Sequence, residues 1–183
     1  SCSSCNATPS SAYASEGGEE GAANSTSEKV LIGSSSSESA VELDYTRADS
    51  LRVVELLKLR QPSDETSDVL FIARQFLGVP YVGATLEKPG EERLVVNLRQ
   101  LDCTTFVETL VALTRAAMMR QATWLSYASA LENLRYHNGE INGYASRLHY
   151  ISAWIIENSS RGNFVEISSM MPHCENLINT LNY

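Results

Sequence analysis

The chain has 183 residues, 43% hydrophobic and 20% charged, which suits one compact domain with a real core and leaves little for a second. Its net charge of −8 gathers ahead of Tyr45, where Glu16, Glu19, Glu20, Glu28, Glu38, Glu42 and Asp44 face only Lys29, so the acidity describes a tail and not an active surface. No concentrated Lys/Arg footprint points to nucleic acid, and no stretch is long and apolar enough to span a membrane as a helix.

Residues 1–43 are rich in Ser, Gly, Ala, Glu and Asn, a composition that cannot bury enough apolar surface to offset chain entropy. They are expected to form a disordered tether in which Val30-Leu31-Ile32 docks only weakly. The opening Ser1-Cys2-Ser3-Ser4-Cys5 resembles a bacterial lipoprotein whose leader has been removed, with the lipid on Cys2 or Cys5. Two ordinary thiols, or a disulfide, in a tail is the other reading. Cys2, Cys5, Cys103 and Cys174 make neither a disulfide framework nor a zinc pattern, and no metal or cofactor motif is legible. Cys2 and Cys5 have C-x-x-C spacing but lack the strand-turn-helix setting of a redox motif.

Residues 44–183 carry the ordered elements. Arg47 to Arg60 shows helical spacing at Leu51, Val54 and Leu57, with Asp49 or Ser50 as N-cap and Pro62 as terminator. A second helix starts at a Thr66 or Ser67 cap, runs through Leu70, Phe71, Ala73, Phe76 and Leu77, and stops at Gly78 before Pro80. The segment 81–93 is a loop with alternating charges, and Leu94-Val95-Val96-Asn97-Leu98 is a short strand. A long helix opens at Leu101-Asp102-Cys103 and reaches Met119, with Phe106, Val107, Leu110, Val111, Leu113 and Ala117 as its packing face. Another helix spans about 126–136. Turns follow at Asn138-Gly139 and Asn142-Gly143. The stretch 147–157 is partly helical, Gly162 punctuates it, Phe164 to Ile167 is an edge strand, and Glu175 to Tyr183 starts a further element.

The chemistry centres on Cys103. A helix N-terminus offers unpaired backbone N–H groups and the positive end of the helix dipole, which favour a thiolate. The same N–H groups can hold the oxyanion formed when a thiolate attacks an amide carbonyl. A lone cysteine at a helix start is also read as a small buried residue. Its setting adds weight to the first reading: a helix, then Gly78-Val79-Pro80-Tyr81-Val82-Gly83, a loop, and Leu101-Asp102-Cys103-Thr104-Thr105-Phe106-Val107.

That order resembles the NlpC-type cell-wall cysteine peptidases of papain-like fold, with Thr104-Thr105 where Ser-Gly is common. Leu101 to Glu108 looks like one branch, the N-acetylmuramoyl-L-alanine amidase-like family. Leu94 to Leu98, Asn142-Gly143-Tyr144 and Ser146-Arg147-Leu148-His149-Tyr150 resemble it as well. The likeness covers about residues 65–167, and Ala153 departs from an acidic residue usual in the branch.

The resemblance implies an α+β, papain-like NlpC-type fold whose helical N-terminal half packs on a small antiparallel sheet. It implies that Cys103 attacks the bond joining the muramyl lactyl group to L-alanine in peptidoglycan fragments, without a cofactor. Tyr81 would orient substrate or donate to the oxyanion, or else be a half-buried aromatic. Asp102, Thr104, Arg147 and His149 would line the substrate site, Arg147 pairing with a peptide carboxylate or else lying on the surface. A location in the periplasm or outer cell envelope follows from the same likeness.

The general acid is the weak point. The family's catalytic histidine opens a downstream strand in a His-Val-Gly-like context, which none of the three histidines matches. His137 reads as surface. His173 lacks the strand. His149 suits substrate binding or a structural hydrogen bond better than proton transfer. The expectation is a chain lacking the C-terminal strands of the usual domain. The alternatives to an amidase are an inactive wall- or partner-binding lipoprotein and a stem-peptide endopeptidase of the same superfamily.

Overall fold

A computed structural model describes residues 25–32, 39–59, 65–119, 122–165 and 167. The elements run β1 (Thr26–Ile32), β2 (Ser39–Tyr45), α1 (Arg47–Lys58), α2 (Glu65–Arg74), β3 (Leu94–Val95), α3 (Cys103–Met118), α4 (Trp124–Arg135) and α5 (Ile151–Ser160). The three-stranded sheet has order β1-β2-β3, so the fold mixes a small sheet with several helices.

Two expectations about the sheet are corrected. The segment 26–43, assigned to a disordered tether, carries β1 and most of β2, paired antiparallel with Val30 opposite Val41 and Lys29 opposite Glu42. Its weak composition is offset by a few well-placed apolar residues: Ile32, Val41 and Leu43 are all buried. Opposite charges at Lys29 and Glu42 add a cross-strand pair on the other face. The sheet is also mixed and not antiparallel, because β2 and β3 run parallel, Leu43 beside Leu94 and Asp44 beside Val95. The parallel pair requires the chain to cross over through α1 and α2 before returning as β3. Phe164, Val165 and Ile167 lie outside any strand. The element beginning at Glu175 lies outside the described residues, as do residues 1–24.

Helix starts follow side-chain chemistry. Thr46 caps α1, and Asp49 is its reciprocal partner and not the cap itself. The Asp49 N–H donates to Thr46 Oγ1 at 3.3 Å, while the Thr46 N–H donates to Asp49 Oδ2 at 3.0 Å. Asp49 is fully buried, yet it also accepts the Leu98 N–H at 3.0 Å and Arg99 Nε at 3.2 Å. One carboxylate therefore ties the start of α1 to the segment that leads from β3 into α3. Thr46→Ala removes an acceptor from the cap and is expected to cost about 1 kcal/mol, read as a shift in the urea midpoint with unchanged slope.

The helix expected to run to Gly78 ends at Arg74, followed by turns in which the Gln75, Phe76 and Leu77 N–H groups bond three residues back. This tightening brings Phe76 and Val79 round toward α3. The core lies between the sheet and helices α1, α3 and α4, with Leu43, Val53, Leu56, Leu94, Leu113, Leu131 and Leu134 at its centre. Asn158, fully buried on α5, donates to the Leu134 carbonyl at 2.9 Å and holds α5 to the end of α4. That contact sets Trp154 and Ile151 beside the start of α3. Among the described residues no helix is long and apolar enough to cross a membrane.

Candidate active site at the start of helix α3

Asp102 is the N-cap of α3 and Cys103 its first helical residue. The cap is reciprocal. Asp102 Oδ1 accepts from the Thr105 N–H and from Thr105 Oγ1, each at 2.8 Å, and Thr105 Oγ1 is 2.9 Å from the Asp102 N–H. The second threonine of the Thr104-Thr105 pair thus has a structural task that composition did not reveal. The first intrahelical bond runs from the Phe106 N–H to the Asp102 carbonyl at 2.9 Å. With the Thr105 N–H taken by the cap, the Cys103 and Thr104 N–H groups are left pointing out of the helix end without a described acceptor, as expected of a first turn.

The Cys103 thiol is free and exposed. Its described polar contact is Thr104 Oγ1 at 4.0 Å. The alternative of a cysteine sealed in the core is therefore excluded. Tyr81 is brought alongside by a parallel bridge to Leu101, in which the Leu101 N–H donates to the Pro80 carbonyl at 3.2 Å and the Val82 N–H to the Leu101 carbonyl at 3.1 Å. Tyr81 is 74% exposed, more open than a half-buried packing residue.

Three hollows meet at this helix end. One, of about 210 Å³, is lined by Phe76, Val79, Tyr81, Leu101, Phe106 and Cys103. A second, of about 480 Å³, is lined by Val107, Tyr150, Ile151 and Trp154, with Cys103, Thr104 and His149 at its edge. The third, of about 160 Å³, is polar and lies between Ala84, Leu86 and Glu87 on one side and Arg147 and His149 on another, with Asp102 and Thr104 at the helix start. Its floor holds the buried pair Arg135–Glu108, with Nε 2.8 Å from Oε2. Burial opposes the charge on Arg135, but the Glu108 carboxylate together with the Tyr136 and Tyr127 hydroxyls outweighs it and holds the guanidinium above its ordinary pKa.

The structure brings Tyr81, Asp102, Cys103, Thr104, Arg147 and His149 to one region. It corrects the surface reading of Arg147. That side chain is 5% exposed and already engaged: Nη2 is 2.5 Å from Glu87, Nη1 is 3.6 Å from Glu92 and donates to the Leu86 carbonyl at 3.2 Å, and the guanidinium lies 4.8 Å from the Tyr144 ring centroid. Two protein carboxylates hold the fork expected to meet a substrate carboxylate. His149 donates from Nε2 to the Tyr144 carbonyl at 3.1 Å and stacks near the Tyr144 ring. That bond places its proton on Nε2. Among the described residues no histidine is hydrogen-bonded to the Cys103 sulfur. His137 is exposed and pairs with Glu157 at 2.9 Å. His173, Cys2, Cys5 and Cys174 lie outside the described residues.

Sequence reasoning missed several parts. Val107, expected in the packing face, is 42% exposed and lines the apolar hollow, whereas Thr105, Glu108, Thr109 and Ala112 are buried. Apolar periodicity finds most of the packing stripe, since Leu110, Leu113 and Ala117 are buried and Phe106 and Val111 pack against the core, but it misplaces Val107 and misses the polar residues buried beside them. Glu87 and Glu92 were legible only as part of an alternating-charge loop. Ala84 adopts φ +58°, a left-handed conformation that nothing in its type signals.

A family model described as N-acetylmuramoyl-L-alanine amidase-like matches residues 71–179. Two crystal structures titled N-acetylmuramoyl-L-alanine amidase, from Bacteroides uniformis, are similar to the chain. One is 39% identical with a TM-score of 0.50, over 54% of this chain and 41% of the other. The second is 40% identical with a TM-score of 0.51, over 55% and 42%. A Legionella pneumophila protein at 23% identity and TM-score 0.53, over 62% of this chain and 38% of that one, shares the fold. The chain thus spans about two fifths of the length of the amidase structures it matches. No curated protein matches it. With the family match extending over more than half of its residues, the chain belongs to the N-acetylmuramoyl-L-alanine amidase-like family.

Proposed function

We propose that the protein is a cysteine amidase that cleaves the N-acetylmuramoyl-L-alanine bond of peptidoglycan fragments, within a papain-like NlpC-type fold. The observation that carries the reading is the exposed Cys103 thiol at the first turn of α3, beside the unengaged N–H groups of that turn. The family membership and the titles of the two similar structures point to the same bond.

In this mechanism the Cys103 thiolate adds to the lactyl carbonyl carbon, and the carbonyl electron pair moves onto oxygen. The Cys103 and Thr104 N–H groups are placed to bond that oxyanion. Collapse breaks the C–N bond, and the alanyl amine leaves with a proton from a general acid. Water then adds to the thioester, releasing the muramic acid carboxylate and the thiol. Tyr81 lies where it can orient the substrate. His149, at the edge of the hollows beside Cys103 and with Nε2 bonded to the Tyr144 carbonyl, is assigned to substrate binding. The reading carries with it a proposed location in the periplasm or outer cell envelope, where Cys2 or Cys5 would carry a lipid anchor.

The test is a set of defined muropeptides with mass detection. An intact stem peptide together with free N-acetylmuramic acid is the expected product pair. Cleavage inside the stem peptide would assign an endopeptidase instead, and binding without turnover would assign the non-catalytic wall-binding role.

A further inference from the structure

Two segments flank the start of α3, the 82–93 loop and the 144–149 stretch, and the polar hollow next to Cys103 is the space between them. What ties the two walls together is Arg147. Its guanidinium reaches from the second segment to Leu86, Glu87 and Glu92 of the first. A further tie comes from the end of α4, where the Tyr136 hydroxyl donates to Glu92 at 2.8 Å and to the Arg93 carbonyl at 3.2 Å, while the Tyr136 backbone bridges to Arg147. The loop turns at Ala84, whose left-handed backbone costs energy that the surrounding contacts must hold in place.

We propose that Arg147 is a positioning residue: its clamp on Leu86, Glu87 and Glu92 sets the width of the polar hollow, and through it the affinity for a muropeptide. The proposal rests on the reading of a muropeptide substrate. Arg147 touches no reacting atom in this scheme. Its two ion pairs differ in character. Glu92 is nearly buried with it, whereas the Glu87 side chain is 53% exposed, so the outer pair responds to salt and can be removed without leaving a buried charge unpaired.

The test uses muramyl dipeptide and the rate at which iodoacetamide alkylates Cys103. In the wild-type chain the dipeptide slows alkylation, and the concentration giving half-protection rises as salt goes from about 50 to about 500 mM. Glu87→Gln, and Arg147→Lys, which keeps the charge but loses the two-pronged geometry, each raise the half-protection concentration about three- to tenfold. Alkylation without ligand stays within about twofold, and Glu87→Gln loses the salt response. Where turnover is measurable, KM follows the half-protection concentration and kcat does not. A merely structural Arg147 would lower the melting temperature while leaving the protection constant alone. Wild-type protection and salt response in both variants overturns the proposal. Protection without cleavage in the wild type removes the amidase reading but leaves the clamp to be judged by the variants. No protection in the wild type overturns both.

Discussion

Cys103→Ala is expected to lower muropeptide cleavage by at least about 10⁴-fold, the scale on which losing a covalent nucleophile is felt. The sulfur attacks the carbonyl carbon and carries the acyl group through the proposed cycle, and no neighbouring hydroxyl can substitute at a comparable rate. Thr104 Oγ1, 4.0 Å from the sulfur, is the nearest candidate and has no described base beside it. The fold should survive. The thiol is exposed, so its loss opens no cavity, and the Asp102–Thr105 cap that begins α3 is untouched. Circular dichroism and a melting temperature close to wild type establish that control. Activity retained in a folded Cys103→Ala chain would place the nucleophile elsewhere and end the cysteine mechanism.

The second large effect concerns stability. Glu108 and Arg135 are both nearly inaccessible, paired at 2.8 Å, and Arg135 also donates to the Val95 carbonyl at 2.7 Å. Removing one partner leaves a buried charge without compensation. Glu108→Ala is therefore expected to cost about 3–5 kcal/mol, a large share of the total for a domain whose stability is typically about 5–15 kcal/mol. Urea unfolding with matched slopes measures it. Glu108→Leu combined with Arg135→Met removes both charges and should recover most of the loss. About 1 kcal/mol remains for the Val95 carbonyl left without its donor. A single substitution costing under about 1 kcal/mol would mean that water reaches the pair. Because this pair floors the polar hollow beside Cys103, the same variants test whether the hollow keeps its shape when its floor is apolar.

The helices, the loop at 81–93 and the placement of Cys103 were legible in the chain. Helical periodicity is a local property, whereas the Asp102–Thr105 cap that begins α3 was recognised only in the structure. The roles of Asp49, Val107 and Arg147 were not legible. Asp49 looked like a cap because acidic residues favour helix starts, but Thr46 fits the cap and Asp49 is drawn to Leu98 and Arg99 instead. Val107 belongs to a periodic apolar set whose Leu110, Leu113 and Ala117 are buried, yet it faces the hollow beside Cys103. The strands at 26–32 and 39–45 escaped notice because their flanks are rich in Ser and Glu, and a few alternating apolar residues suffice once a core is available to receive them.

The amino-acid order by itself pointed to the proposed nucleophile: a thiol at an expected helix start. The tertiary structure decided what surrounds that thiol, namely three hollows of different polarity, and it engaged Arg147 with two carboxylates from a loop far away in sequence. The physical reason is range. Caps and periodicity act within one or two turns of helix, while burial and ion pairing depend on which distant segments the fold brings within a few ångströms.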